Sequence, residues 1–360
     1  MVSVTKVVGI KRCFSVIWNY LSFTYMLEHH ACFCEISLVL PVLINAGVLA
    51  VSLVLLSKFS HWTIINSERI AEITGFGKTA VGFILIALST SLPELTVSVF
   101  STANAEAVGV AIGNVLGSNI VNVCFVLGAC ILYASWKSLT CIDFLPIITR
   151  EDIKSLQFGL FAASVIPLSL IYLGFASRFI GLLLIGLFAW NTYQLAKKRE
   201  GMKDEGTLGE EKKKLSRYAL MLLVGVAGVI VCSYYIVDSA TFIALSLGVP
   251  KVVIGATIVA FGTSIPELAT SLEATKGNSI NLALANIVGS GFLNITLILG
   301  ITLIAANLTV NIAAFTNIAV FSLISNLFLW YFLSGERICW REGAVLIFLY
   351  ALFLYSSLRF

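Results

Sequence analysis

Charge is what this chain has least of. Asp, Glu, Lys and Arg make up 12% of its 360 residues, about half the share of a soluble domain. The net charge of +4 gives no nucleic-acid surface, because the basic residues fall mostly between apolar segments. Histidine is nearly absent: His29 and His30 precede the first long apolar span and His61 reads as a loop residue, so none reads as a ligand. The eight cysteines are scattered, mostly in apolar context, and only Cys32 and Cys34 lie close together. A single C-x-C is a weak metal or disulfide signal, so the cysteines read as small buried apolar residues. These absences leave zinc, copper and histidine-based nucleophilic chemistry without ligands or bases.

What is present is hydrophobic sequence, 59% of the chain. Apolar segments of about 20 residues recur along its length, the signature of a polytopic helical membrane protein. Ten core spans are expected. They run over Ile36–Ser57, Thr79–Ser101, Val108–Ser135, Ser155–Phe175 and Phe179–Leu195. After these come Leu215–Val237, Val252–Ala274, Leu282–Ala306, Asn311–Phe332 and Gly343–Ser357. Residues 1–35 form an N-terminal extension whose modest apolar run, Cys13 to Leu27, follows Lys6, Lys11 and Arg12. That pattern fits a signal segment, an anchor or an interfacial helix. Residues 36–196 and 215–360 form two five-span halves, joined by the one long polar run, residues 197–214.

Basic residues alternate between the two faces. The odd-numbered connections hold Lys58, Arg69, Lys78, Lys137, Arg150, Lys154, the lysines and arginines of the linker, Lys276, Arg337 and Arg341. The even ones and the C-terminus hold only Arg178, Lys251 and Arg359. By the positive-inside rule the linker is cytoplasmic and the core begins and ends outside. A multi-pass protein of the cell (plasma) membrane is expected, with the lipid bilayer as its surroundings and no protein partner readable.

The two halves are copies. Displaced by 173 residues, Lys78, Gly82, Ala87, Thr90, Ser91, Pro93, Glu94, Leu95 and Ser98 recur as Lys251, Gly255, Ala260, Thr263, Ser264, Pro266, Glu267, Leu268 and Ser271. Displaced by 172, Asn114, Gly117, Ser118 and Asn122 recur as Asn286, Gly289, Ser290 and Asn294. Each half has an odd number of spans, so the second enters the membrane from the opposite side. The repeat is therefore inverted, the architecture of secondary transporters, with a substrate site at the midplane between halves.

Glu94 and Glu267 are the only acidic residues expected deep within spans. A charge there costs at least several kcal/mol and persists only with a partner. No lysine or arginine lies at comparable depth, so the partner is a cation from solution. Pro93 and Pro266 lack an N–H and free carbonyls near Ser89 and Gly262. Thr90 and Thr263 stand four residues before the glutamates, on the same helix face. Ser118, Asn122, Ser290 and Asn294 add oxygens from the facing helices. Carboxylate, hydroxyl and carbonyl are hard donors that suit Na+, Ca2+ or Mg2+. Two carboxylates balance one Ca2+, and Na+ competing for the same oxygens is a physical basis for exchange.

With "STSLPEL" and "GTSIPEL" each followed by a GS-containing block, the chain resembles the sodium/calcium exchanger (cation/calcium antiporter) superfamily over residues 36–358. The resemblance implies ten transmembrane helices in inverted halves, with helices 2, 3, 7 and 8 as the core. It implies a calcium site of the Glu94 and Glu267 carboxylates with the carbonyls of Thr90 and Thr263. It implies sodium sites at Ser91, Ser118, Ser264 and Ser290 with the carbonyls of Ala87 and Ala260, and Asn122 and Asn294 between the glutamates. Transport in the family is by alternating access, the first and sixth helices sliding across the core.

The chain departs from the family at Ser89, where glycine is usual. It also carries Ala285 and Gly291 against Gly113 and Asn119 of the first half, and Asn294 where potassium-dependent members carry aspartate. An amide cannot ionise, which speaks against potassium coupling. The linker is too short for the calcium-sensing domains of animal exchangers, so a prokaryotic-type minimal member is implied. The expectation is a Ca2+/Na+ antiporter, with H+/Ca2+ or other divalent antiport as the alternative. No cofactor beyond the transported ions is expected. An intramembrane enzyme is disfavoured because no nucleophile accompanies the glutamates, and a channel because paired carboxylates in an inverted repeat suit exchange.

Overall fold

The computed structural model describes residues 40–67, 69–70, 73, 89–103, 107–138, 142–143, 165, 178–199, 215–277, 280–305, 312–334, 337–357 and 359. The chain divides into two compact units, Met1–Gly47 and Val48–Phe360. Of the first unit the described part is Leu40–Gly47, helical, with Asn45 Nδ2 donating to Pro41 O at 2.9 Å.

The described elements are almost all helical. In chain order they are α1 (Leu40–Ser67), α2 (Leu92–Ala103), α3 (Val108–Ile120), α4 (Gly128–Ser138), β1 (Ile142–Asp143), α5 (Arg178–Arg199), α6 (Leu215–Leu247), α7 (Lys251–Ile254), α8 (Ala260–Thr263), α9 (Ile265–Lys276), α10 (Ile280–Leu293), α11 (Leu299–Ala305), α12 (Ile312–Ser334), β2 (Arg337–Ile338) and α13 (Trp340–Ser357). Three π-helical stretches, Val121–Leu127, Gly255–Val259 and Asn294–Ile298, fuse α3 to α4, α7 to α8 and α10 to α11. Among the described residues five helices are long and apolar enough to cross a membrane, or six with Lys251–Thr263 and Ile265–Lys276 taken as one bent span. The expected span Ser155–Phe175, apart from Val165, and the first half of Thr79–Ser101 lie outside the described residues.

Burial separates core from periphery. In the span Val108–Trp136, 83% of the apolar window is buried, against 33% for α6 and 17% for Leu40–Ser67. A helix apolar on every side belongs in a core, and Ile112, Leu116 and Ile120 are fully buried with Ile287, Ile295 and Ile298. The outer helices turn Val51, Val54, Trp62, Leu220, Leu223 and Tyr234 outward, a surface that lipid solvates and water does not. α1 and α6 pack on each other: a Cβ on Gly225 would lie 2.5 Å from Thr63 Oγ1, and one on Gly228 2.4 Å from the Phe59 ring.

Several helix boundaries differ from expectation. α1 runs on to Ser67, ten residues past the expected Ser57, so Lys58 and His61 are helical rather than in a connection. α6 continues to Leu247, past Val237, carrying Asp238 as an exposed helical residue. A capping motif stops α6. Gly248 has φ 65°, Gly248 N donates to Leu245 O at 3.4 Å and Val249 N to Ala244 O at 3.1 Å. This is the Schellman arrangement of a left-handed glycine after the last turn, and Pro250 prevents continuation. The hydropathy window matched the bilayer's thickness, whereas the helix, about 50 Å long, ends where its cap is.

The all-α expectation needs one small correction, because Ile142 and Asp143 pair antiparallel with Ile338 and Arg337. Cys339 beside this ribbon is disulfide-bonded, unlike the buried free thiols of Cys124, Cys130 and Cys232. Its backbone N–H donates to Glu342 Oε2 at 2.7 Å, which ties down the start of α13.

Candidate functional site

The two proline-glutamate motifs each sit at a break. In the second half α8 ends at Thr263, Ser264 takes φ −86° and ψ 4°, and α9 departs at 43°. Pro266 explains this locally, since it cannot donate to Gly262 O and is well placed in a helix's first turn. In the first half Ser91, the counterpart of Ser264, is the turn residue between helical Thr90 and α2. Leu95 N bonds to Ser91 O at 3.1 Å and Leu268 N to Ser264 O at 3.0 Å, so both shorter helices restart in the same way. Each glutamate therefore lies in the first turn of its helix, where the positive end of the macrodipole favours an anion.

Glu94 and Glu267 are both fully buried. The side chains around them come from both halves. Ser264 Oγ donates to Glu94 Oε1 at 3.4 Å and Ser290 Oγ to Glu267 Oε1 at 3.4 Å. Ser290 Oγ also lies 3.1 Å from Ser91 Oγ and accepts from Asn122 Nδ2 at 3.3 Å. Ser118 Oγ is 3.4 Å from Thr263 Oγ1. Three hydrogen-bonded groups thus cross between the halves: Glu94 with Ser264, Ser118 with Thr263, and Ser91 and Asn122 with Ser290, which also holds Glu267. Thr90 is buried beside Ser91 in sequence. Asn294, wholly buried, opens the third π-helical stretch, as Asn122 lies in the first. Such stretches carry i→i+5 bonds and recur at functional sites.

The cluster is loosely bonded. A hydroxyl-to-oxygen bond settles near 2.7–2.8 Å, and here the contacts run from 3.1 to 3.4 Å. Among the described residues, Glu94 Oε2, Glu267 Oε2, Asn122 Oδ1 and both amide atoms of Asn294 have no hydrogen-bond partner. Hydroxyl pairs elsewhere close fully, Thr96 to Ser233 at 2.6 Å and Ser67 to Ser89 at 2.7 Å. Buried oxygens left open in this way are costly, and a cation among them removes that cost. Among the described residues no three of His, Cys, Asp and Glu come together as a metal centre, so any ion here meets two carboxylates and neutral oxygens.

Of the expected ligands, Ala87 lies outside the described residues. Ala260 heads α8, and its carbonyl already accepts from Ser264 N at 3.1 Å and Thr263 Oγ1 at 3.2 Å. The sequence reading passed over Asn114 as a site residue. Its Oδ1 accepts from Thr263 Oγ1 at 3.1 Å and its Nδ2 donates to Glu94 O at 3.4 Å. The signal was present: Asn114 recurs as Asn286 and stands four residues before Ser118, on the same face.

Comparison with known proteins agrees over both halves. The family described as "Sodium/calcium exchanger protein" matches residues 44–195 and again 217–359. An uncharacterised membrane protein of Methanocaldococcus jannaschii is 31% identical over 323 residues, covering 88% of this chain and 99% of that protein. Sodium/calcium exchanger MaX1 of Methanosarcina acetivorans is 28% identical, covering 87% of this chain and 98% of that one. Among solved structures, the sodium-calcium exchanger NCX_Mj soaked with Na+ and Sr2+ superposes with a TM-score of 0.58 at 28% identity, covering 88% of this chain and 99% of that one. The H+/Ca2+ exchanger CAX shares the fold with a TM-score of 0.70 at 17% identity, covering 90% and 91%. With both halves matched in turn, the chain belongs to the sodium/calcium exchanger family of membrane antiporters, transporters and not enzymes.

Proposed function

We propose that this chain exchanges Ca2+ for Na+ across the cell membrane through the buried oxygen cluster, in a ten-helix fold of two inverted five-helix halves. The observation that carries this reading is the pair of buried glutamates, one from each half, each with an open oxygen at the start of a broken helix. Two carboxylates neutralise one Ca2+, with the carbonyls of Thr90 and Thr263 as its further ligands. Na+ occupies the flanking hydroxyls of Ser91, Ser118, Ser264 and Ser290 with the carbonyls of Ala87 and Ala260, and Asn122 and Asn294 lie between the glutamates. Na+ at these bordering sites also competes for the glutamate oxygens, so one ion displaces the other. The relatives named as sodium/calcium exchangers favour sodium as the coupling ion.

Contacts between connections support the inverted arrangement. The β1–β2 pair needs the three–four and nine–ten connections on one face. A Cβ on Gly109 would lie 3.2 Å from Lys251 Cβ, so the third and seventh spans start together on the opposite face. Both groupings follow the odd and even connections of the charge pattern, with the linker cytoplasmic. For alternating access, α1 from Val48 onward and α6 form the moving pair. They meet the site helices mostly through a buried apolar cluster that includes Leu49, Val97, Ile236 and Val259, with Thr96 bonded to Ser233, Ser67 to Ser89, Phe100 against Tyr234 and Leu53 over Gly262. Apolar contact is non-directional and permits sliding.

Proton-coupled Ca2+ antiport is the second reading, because a buried carboxylate without a cation can carry a proton instead. Radiolabelled Ca2+ uptake into proteoliposomes separates the two. Vesicles preloaded with Na+ and diluted into Na+-free buffer are expected to accumulate Ca2+, and vesicles with only an imposed pH gradient are not. Uptake that ignores Na+ and follows the pH gradient replaces the sodium reading. Calcium that runs down its gradient with no counter-ion identifies a channel and ends the antiport reading.

A further inference from the structure

We infer that Asn114 is a positioning residue for the exchange site, the tie that fixes the broken helix of the second half against the glutamate of the first. The inference rests on the antiport reading above and adds a residue to it. Asn114 is wholly buried on α3, one turn before Ser118 and two before Asn122, on the face that meets the cluster. Its amide uses both ends. The oxygen accepts from Thr263 Oγ1, at the last residue of α8, and the nitrogen donates to the backbone carbonyl of Glu94. One side chain of the first half thus fixes the last residue before the Ser264 break and the backbone that carries the first carboxylate. The task needs a donor and an acceptor on a short stem, which asparagine supplies.

The backbone beneath Asn114 has no slack. A Cβ on Gly255 would lie 3.1 Å from Asn114 N and 2.5 Å from Val110 O, so α3 rests directly on the seventh span and the amide reaches Thr263 from a fixed base. The repeat counterpart is bonded differently. Asn286 Nδ2 donates to Thr270 Oγ1 at 3.2 Å and Ser271 Oγ at 3.1 Å, both further along α9 and within its own half. Asn114 bridges the two motifs and Asn286 braces one helix pair, so replacing them has unequal consequences for ion binding.

The test is Ca2+/Ca2+ exchange in proteoliposomes, read as half-saturating Ca2+ concentration and maximal rate, with thermal midpoint and monodispersity as fold controls. Asn114→Ala is expected to raise the half-saturating concentration about tenfold, the worth of one buried hydrogen-bonded tie, with maximal rate within about twofold. Asn286→Ala is expected to move it less than about twofold. The double variant Asn114→Ala/Thr263→Val is expected to fall short of the sum of the two single effects, because both remove the same bond between Asn114 and Thr263. An unchanged half-saturation in Asn114→Ala overturns the inference. So does an equal shift in Asn286→Ala, or full additivity with Thr263→Val. Should Asn114→Ala not yield monodisperse protein, Asn114→Ser, also smaller than the native residue, carries the same comparison. Absence of Ca2+ flux in the unsubstituted protein would instead overturn the antiport reading itself.

Discussion

Glu94→Gln protein is expected to reconstitute as a folded, monodisperse species that moves no measurable Ca2+, and Glu267→Gln to do the same. Glutamine has nearly the shape of glutamate and can still accept from Ser264 or Ser290, so the packing around it persists. What is lost is one of the two charges facing the ion. Removing one partner from a buried charge pair costs about 3–5 kcal/mol, a factor of roughly a hundred to several thousand in affinity. The loss falls on Ca2+ more than on Na+, because only the divalent ion needs both carboxylates.

Stability provides the check that separates this from misfolding. The ion-free protein keeps two fully buried carboxyl groups, each with an oxygen that has no hydrogen-bond partner among the described residues, an arrangement that opposes folding. Replacing one by a neutral amide relieves it. In ion-free buffer the thermal midpoint of Glu94→Gln is therefore expected to equal or exceed that of the unsubstituted protein. Calcium at about a hundred times its dissociation constant stabilises a binding-competent protein by about 2.7 kcal/mol. The midpoint of the unsubstituted protein should rise on adding Ca2+ and that of Glu94→Gln should not. Robust calcium exchange by either variant, or an undiminished calcium-dependent shift, would remove the glutamates from the site.

What could be read from the sequence follows from what a residue type fixes locally. Pro93 and Pro266 determine where a helix loses a bond, and the structure breaks at Ser91 and Ser264, two residues earlier. A carboxylate flanked by hydroxyls in an apolar span has few places to go, and Ser91, Ser118, Ser264 and Ser290 do converge with the glutamates. The π-helical stretches were hidden, because one extra residue in a turn leaves composition and hydropathy unchanged. The roles of Asn114 and Asn286 were hidden for another reason: the duplication presents them as equals, and only the packing distinguishes a bridge between halves from a brace within one. The end of α6 was legible at Gly248–Pro250 and was missed by reading span length in place of the cap.

Gly117→Val is expected to lower the yield of monodisperse protein severely. α3 and the seventh span meet backbone to backbone. A Cβ on Gly117 would lie 2.4 Å from both Cα and O of Ala256, and one on Gly113 2.1 Å from Val252 O. Glycines four apart are how membrane helices approach this closely. Valine adds three carbons against main chain, which has no rotamer to move to, so the cost reaches or exceeds the upper end of the usual 1–3 kcal/mol for overpacking. The effect also reaches the site, because Ser118 follows Gly117 directly and meets Thr263 at 3.4 Å. Gly117→Ala, with a single carbon, is expected to fold with a lower thermal midpoint and to bind Ca2+ at least about tenfold more weakly, each lost hydrogen-bonded contact being worth about that factor. Gly186, on α5 with nothing within 4 Å of its would-be Cβ, is the control: Gly186→Val should leave midpoint and exchange unchanged. Equal stability of the valine variants at 117 and 186 would mean that the two helices do not meet through these glycines. The cluster around Thr263 would then have to be held by something other than the contact between α3 and the seventh span.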